Sequence, residues 1–241
     1  VPKLLVAILT CHKADYFIDD LTKDWLAAKR CLDVELRRRT QRRTWIPRLP
    51  KEVDYRFFFG TRLRPSLDTR RDTIQPTVDR EPLSDEVYLS CGDNYTSNPD
   101  KMKAICRYAL ANGYDFLLRV DDDELIFPDK LLLVDRPLWL NHDYSGAAQG
   151  SFHPGGCLFL SRRAMELVVC GRMISYADDL SIGHIMAEAR IPMNGIPTIR
   201  NGFGNDYRIP LGFDATSYSA LHSCTPEVMQ DLWKRFDKLS V

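Results

Sequence analysis

The chain has 241 residues, 44% of them hydrophobic, with 33 basic and 33 acidic side chains. That is enough for one sizeable α/β domain, or two small ones, with an ordinary packed core. Balanced charge singles out no partner, and no apolar stretch approaches the roughly 20 residues of a membrane span.

Leu4 to Leu9 is a short apolar run and predicts a first buried strand, with Thr10, Cys11, His12 and Lys13 as the loop at its carboxyl end. Asp20 to Trp45 has few breakers and predicts a helix. Tyr55 to Phe59 predicts a second strand, stopped by Gly60, and Arg62 to Pro82 a polar, irregular loop. Between Arg30 and Arg80 stand 14 basic and 7 acidic residues. An excess of that size suits a phosphate-bearing ligand or a nucleic acid, or simply a solvated helix face.

A third strand is expected at Val87 to Ser90. The next helix has Asn98 as its cap, Pro99 in its first turn and Gly113 at its end. Met102, Ile105, Cys106 and Ala109 form its core stripe. Phe116 to Val120 reads as a buried strand running into Asp121, Asp122 and Asp123. The order so far is strand, helix, strand, strand, helix, strand, which implies right-handed crossovers and an open, mostly parallel sheet with helices on both faces. Ligands of such sheets bind beyond the carboxyl ends of the strands, so Thr10 and the aspartates should face one crevice.

The second half is less regular. Strands are expected at Ser145–Gly150, Cys157–Ser161 and Ile196–Ile199, and helices at Arg162–Cys170 and Asp178–Ala189. A last helix, capped by Thr225, runs from Pro226 to about Leu239. No strong linker divides the chain. It reads as one domain with two lobes.

The seven cysteines include no CxxC pair, which argues against a zinc cluster. Their odd number leaves at least one free thiol in a monomer, and two or three disulfides stay open. Asn94-Tyr95-Thr96 is a glycosylation sequon. No signal peptide is visible. An essentially complete chain would be cytoplasmic, and one trimmed of an N-terminal anchor would lie elsewhere.

Three carboxylates at the end of a buried strand repel one another unless something positive sits among them. A hard divalent cation is the natural partner, bridging carboxylates to substrate phosphates. The other readings are a helix-start charge cluster, a protein-only calcium site, phosphoryl transfer or a solvated turn. No GxxxxGK loop follows the first strand, which disfavours a nucleotide triphosphatase. Asp178-Asp179 suits a helix cap or a general base. His222 suits a structural role or a Mn²⁺-like ion. Gly155 and Gly156 suit a plain turn or a close backbone approach.

In order along the chain, seven segments resemble the inverting β-1,3-glycosyltransferases, the family that includes Fringe and the β-1,3-galactosyl- and N-acetylglucosaminyltransferases. They are RRRTQRRTW (Arg37–Trp45), FFFG (Phe57–Gly60), YTSNPDKMKA (Tyr95–Ala104) and FLLRVDDDELIF (Phe116–Phe127). HPGGCLFLSRRAMELV (His153–Val168), ADDLSIGHIMAE (Ala177–Glu188) and HSCTPEVMQDLW (His222–Trp233) complete the set. The resemblance implies a GT-A-type fold, a UDP-sugar donor and Mn²⁺, with Mg²⁺ as the alternative ion. By position, Asp123 and His222 would bind the metal, with Asp121 and Asp122 supporting metal and donor. Asp179 would be the catalytic base, and Asp178 the fallback. Thr10, Arg42 and Lys101 would hold uridine or diphosphate, while Gly155 and Gly156 would line the cleft. Residues 1–128 would form the nucleotide-sugar-binding half and 129–241 the acceptor and catalytic half; the acceptor would be a glycan or glycoprotein, and a chain trimmed of an N-terminal anchor would lie in the Golgi lumen. Two other readings are a modified nucleic-acid base as acceptor, as some viruses use, and a non-catalytic sugar- or nucleotide-binding module.

Overall fold

The structure, a computed structural model, describes residues 2–11, 34–62, 82–93, 97–147, 150–200, 214 and 217–239. His12, Lys13, Cys31, the helix expected over 20–33, most of the 62–82 loop and the 94–96 sequon lie outside the described residues.

Seven strands form one sheet. Strand β1 (Leu4–Leu9) is central, flanked in parallel by β2 (Val53–Arg62) and β4 (Phe116–Asp121); β3 (Glu86–Gly92) lies parallel to β2. Beyond β4 the direction reverses. Strand β7 (Cys157–Ser161) is antiparallel to both β4 and β6 (Tyr144–Gly146), and β8 (Asn194–Gly195) closes the order parallel to β6. The sheet is therefore mostly parallel, as the strand–helix alternation predicts, and it draws strands from both halves of the chain.

Every residue of β1 is buried because both faces of the sheet are covered. Leu5, Ala7 and Leu9 pack under three helices: α2 (Asn98–Ala111), α4 (Arg162–Cys170) and α5 (Asp178–Glu188). Leu4, Val6 and Ile8 face Trp45, Leu131, Trp139, Met229 and Leu232. The last two belong to α6 (Pro226–Leu239), and Trp45 follows α1 (Val34–Arg43). A small second sheet, in the order β5 (Leu125–Ile126), β10 (Ala220–Leu221), β9 (Ile199–Arg200), sits just past the aspartates.

Several expected boundaries move. The strand expected at 196–199 does not form: Ile196 to Thr198 turn around Pro197, which has no N–H to donate to a ladder, and only Ile199 of that span lies in a strand, β9, with β8 before the turn belonging to the other sheet. The strand expected at 145–150 ends at Gly146. Ser97, not Asn98, stands at the N-cap of α2, and its side chain makes no capping bond. Two further helical turns, a π-helix over Asp129–Val134 and α3 (Arg136–Leu140), bury Leu131, Leu132 and Trp139. No helix among the described residues is long and apolar enough to cross a membrane.

Candidate active site

Three strand registers build the site. The β1–β4 ladder pairs Leu9 with Asp121, so Thr10 comes out beside the aspartate turn. There the Thr10 hydroxyl donates to Asp122 Oδ2 at 2.7 Å. The antiparallel β4–β7 ladder pairs Val120 with Cys157, which sets Gly156 against Asp121; the Asp121 N–H donates to the Gly156 carbonyl at 3.2 Å. The β5–β10 pairing of Leu125 with Leu221 sets His222 against Glu124. His222 Nδ1 is 3.0 Å from Glu124 Oε2 and 3.5 Å from Asp123 Oδ1. The Cys224 N–H donates to the Asp123 carbonyl at 2.9 Å, pinning the chain after His222 to the turn.

Asp121, Asp123 and His222 each present one ligand atom, and these atoms lie within 4.8 Å of one another. Oxygen from two carboxylates and nitrogen from one imidazole suit a first-row divalent ion. The electrostatics fit a cation as well. Burial, with Asp123 and Asp178 close by, lifts Asp121 to about 7 against the pull of Arg119 and His222. Burial likewise raises Glu124, whose Oε1 has no hydrogen-bond partner. Burial alone would lower His222, but Asp123, Glu124 and Asp121 overcome it and raise the ring to about 9. Anions in excess of their protein cations, in a partly dry pocket, are what a bound metal relieves.

Asp122 turns the other way. It accepts from Thr10 and from Arg37 Nη1 at 3.0 Å. Arg38 donates to Thr10 Oγ1 and to the Cys11 carbonyl. Lys101, only 2% exposed, donates to the Thr10 carbonyl at 2.7 Å and to Asp93 at 3.0 Å. Arg42 lies further along α1 and is paired with Asp85 and Glu86, its guanidinium over the Phe57 ring. Of these three arginines of α1, Arg37 and Arg38 reach Asp122 and Thr10, and Arg42 pairs elsewhere.

Asp178 and Asp179 open α5 and part company. Asp178 is buried against Arg119, whose Nη2 is 3.3 Å from Asp178 Oδ2 and 3.0 Å from Asp121 Oδ1. Burial raises Asp178, and Arg119 opposes the shift. Asp179 is half-buried; its Oδ2 accepts from the Gly155 N–H at 3.0 Å and its Oδ1 from the Leu180 N–H at 2.7 Å. These bonds orient the half-buried carboxylate. The two glycines are required by contact. A Cβ on Gly155 would lie 2.8 Å from Arg119 Nη1, and one on Gly156 would lie 2.5 Å from the His222 ring.

Residues 36–142 match a family model described as Galactosyltransferase. The match takes in Arg37, Arg42, Lys101 and the aspartate turn. Thr10, the Gly155-Gly156 pair, Asp178-Asp179 and His222 fall outside it. No curated protein matches the chain. Among solved structures it is similar to a protein of Desulfovibrio desulfuricans G20 described as a nucleotide-diphospho-sugar transferase (12% identity, 81% of this chain and 80% of that one, TM-score 0.49). It is similar to a glycosyltransferase involved in glycosylating the major capsid of PBCV-1 (15% identity, 97% and 99%, TM-score 0.45). A third likeness is to the catalytic domain of Drosophila β1,4-galactosyltransferase 7 (14% identity, 85% and 69%, TM-score 0.39).

The fold thus brings Thr10, Lys101, the three aspartates, Gly155, Gly156, Asp178, Asp179 and His222 to one end of the sheet. Asp121 groups with Asp123 and His222, where the resemblance assigns it a supporting place. Arg119 and Glu124 escape the sequence reading, and Arg37 and Arg38 enter it only as members of the basic excess. Signals for them exist. Val34, Arg37, Arg38 and Gln41 are all buried at helical spacing, and Arg119 is a lone charge inside an apolar strand. Glu124 is a fourth acid directly after three. Part of the basic excess turns inward: Arg37, Arg38 and Arg42 pair with acids, while Arg39, Arg43, Arg48 and Lys51 are exposed.

Proposed function

We propose that the chain is a metal-dependent, inverting glycosyltransferase of GT-A type that moves a sugar from a UDP-sugar to a hydroxyl of a glycan or glycoprotein. The observation that carries this reading is the convergence of Asp121, Asp123 and His222, with Asp179 hydrogen-bonded to Gly155 of the glycine pair whose other member meets Asp121. The galactosyltransferase match over the aspartate half supports the same reaction class.

Asp121, Asp123 and His222 would hold a divalent cation, Mn²⁺ before Mg²⁺ given the imidazole, and the ion would neutralise charge on the departing diphosphate. Arg37 and Arg38 add positive charge at the Thr10 side of the cleft, where the donor's phosphates and uridine would lie. Lys101 fixes the Thr10 backbone there. Asp179, oriented by the Gly155 and Leu180 amides, accepts the proton of the acceptor hydroxyl. That oxygen attacks the anomeric carbon from the face opposite UDP. The bond to the phosphate oxygen breaks with its electron pair on UDP, and the configuration inverts. Asp178, held by Arg119, supports the start of α5.

A UDP-release screen across UDP-sugars, with and without Mn²⁺, tests the reading. Mn²⁺-dependent release that collapses in Asp179→Asn is the expected result. Release that survives intact in Asp179→Asn would sink the base, and silence with every donor over a wide acceptor panel would favour a binding module.

A further inference from the structure

Arg119 is a charged residue where a strand core ought to be apolar. It is 2% exposed, in the middle of β4, with Ala7 of β1 and Leu158 of β7 on either side. Side chains alternate along a strand, so Arg119 shares a face with Asp121 two residues on. That is the face on which α5 packs, and α5 supplies Asp178. One nitrogen, Nη2, is divided between the two carboxylates, 3.0 Å from Asp121 Oδ1 and 3.3 Å from Asp178 Oδ2. Nη1 and Nε, both buried, have no hydrogen-bond partner. The guanidinium also forms the floor under Gly155: a Cβ there would stand 2.8, 3.1 and 3.2 Å from its Nη1, Nη2 and Cζ. The Gly155 amide in turn holds Asp179.

We propose that Arg119 is a positioning residue that makes cation binding at Asp121 and the placement of the Asp178–Asp179 helix start interdependent. This rests on the metal-dependent reading above. A guanidinium shared by two buried carboxylates competes with any cation for the first of them. When Asp121 turns to a cation, Nη2 is left to Asp178, and the start of α5 and the Gly155 segment are gripped more tightly. The coupling is reciprocal: whatever tightens Arg119 onto Asp178 frees Asp121 for the ion. Arg119 therefore lowers the affinity for the cation while it raises the fraction of molecules with Asp179 in place. A residue serving stability alone would not act on the two in opposite senses.

The test measures Mn²⁺ affinity by calorimetry on the full chain without nucleotide, and kcat and acceptor KM by UDP release. In Arg119→Met, Mn²⁺ should bind about 10-fold tighter, because a competing positive charge is gone. Turnover should nevertheless fall by about 100-fold through kcat. Arg119→Lys, which keeps the charge, should bring Mn²⁺ affinity back to the wild-type value. Asp178→Asn covers the case in which Arg119→Met fails to fold. It leaves Nη2 to Asp121 and should weaken Mn²⁺ binding. Unchanged or weaker Mn²⁺ binding in folded Arg119→Met overturns the coupling, as does unchanged binding in Asp178→Asn. Wild-type protein that binds no Mn²⁺ overturns the metal-dependent function itself, a separate outcome.

Discussion

Glu124 Oε2 lies 3.0 Å from Nδ1 of His222, and the Glu124 side chain is fully buried. The contact orients the imidazole. The Glu124 backbone is itself fixed, since its carbonyl accepts from Gln41 Nε2 and Trp45 Nε1. Outer-shell carboxylates of this kind set ring orientation and ligand basicity.

Removing that anchor should loosen the metal. Glu124→Leu is expected to weaken Mn²⁺ binding by about 10–100-fold, and Glu124→Gln, which keeps an acceptor oxygen, by less. Isothermal titration calorimetry reads both. A folded Glu124→Leu protein with wild-type affinity would show that His222 needs no anchor.

The metal-free protein should lose stability as pH rises. Asp121 moves from 3.8 up to about 7, and His222 from 6.5 up to about 9. Both folded values lie above the unfolded ones. The stabilisation from Asp121 is therefore complete below 3.8 and lost by about 7, and that from His222 is complete below 6.5 and lost by about 9. Glu124 and Asp178 shift the same way. Thermal melts in chelator should fall in Tm from pH 6 to 9, and saturating Mn²⁺ should flatten the slope. A Tm that climbs over this range in chelator would contradict the charge surplus assigned to the site.

The two glycines should fail differently when given a methyl group. In Gly156→Ala the new Cβ meets the His222 ring at 2.5 Å and Glu124 Oε2 at 2.8 Å, so Mn²⁺ binding should suffer first. In Gly155→Ala it meets Arg119 at 2.8 Å and strains the segment that holds Asp179, so kcat should fall more than Mn²⁺ affinity. Calorimetry and UDP release on both variants separate these effects; identical losses would show that the glycines form one rigid turn.

Arg42 should act mainly on stability. Its partners Asp85 and Glu86 are largely buried, and Arg42→Met strands them at a cost of about 2–3 kcal/mol in urea denaturation. Arg37→Met, next to Asp122 and Asp123, should instead alter Mn²⁺-dependent UDP binding. A loss of UDP affinity in Arg42→Met at unchanged stability would return Arg42 to the donor site.

Much of the architecture is written locally. The apolar runs of β1, β4 and β7, the Met102–Ile105–Ala109 stripe and the Thr225-Pro226 start of α6 depend on neighbours a few residues away, and each forms where its pattern predicts. The small sheet was illegible, because its strands are two residues long and gain their shape only by pairing with distant segments. Cys106, Cys157, Cys170 and Cys224 are free thiols, a matter that spacing alone left open.

The order of residues alone sets the charge at the end of β4 and the residue types able to hold a cation or take a proton. It could not decide which of them meet. Two ladders, β4 with β7 and β5 with β10, carry Gly156 to Asp121 and His222 to Glu124. Asp178 and Asp179, alike as neighbours, acquire different work because one points at Arg119 and the other at a glycine amide. Side-chain alternation on a strand and the turn of a helix fix where each group points. Only the packing of those elements brings carboxylate, imidazole and guanidinium within a few ångströms, where burial and mutual charge give the site its chemistry.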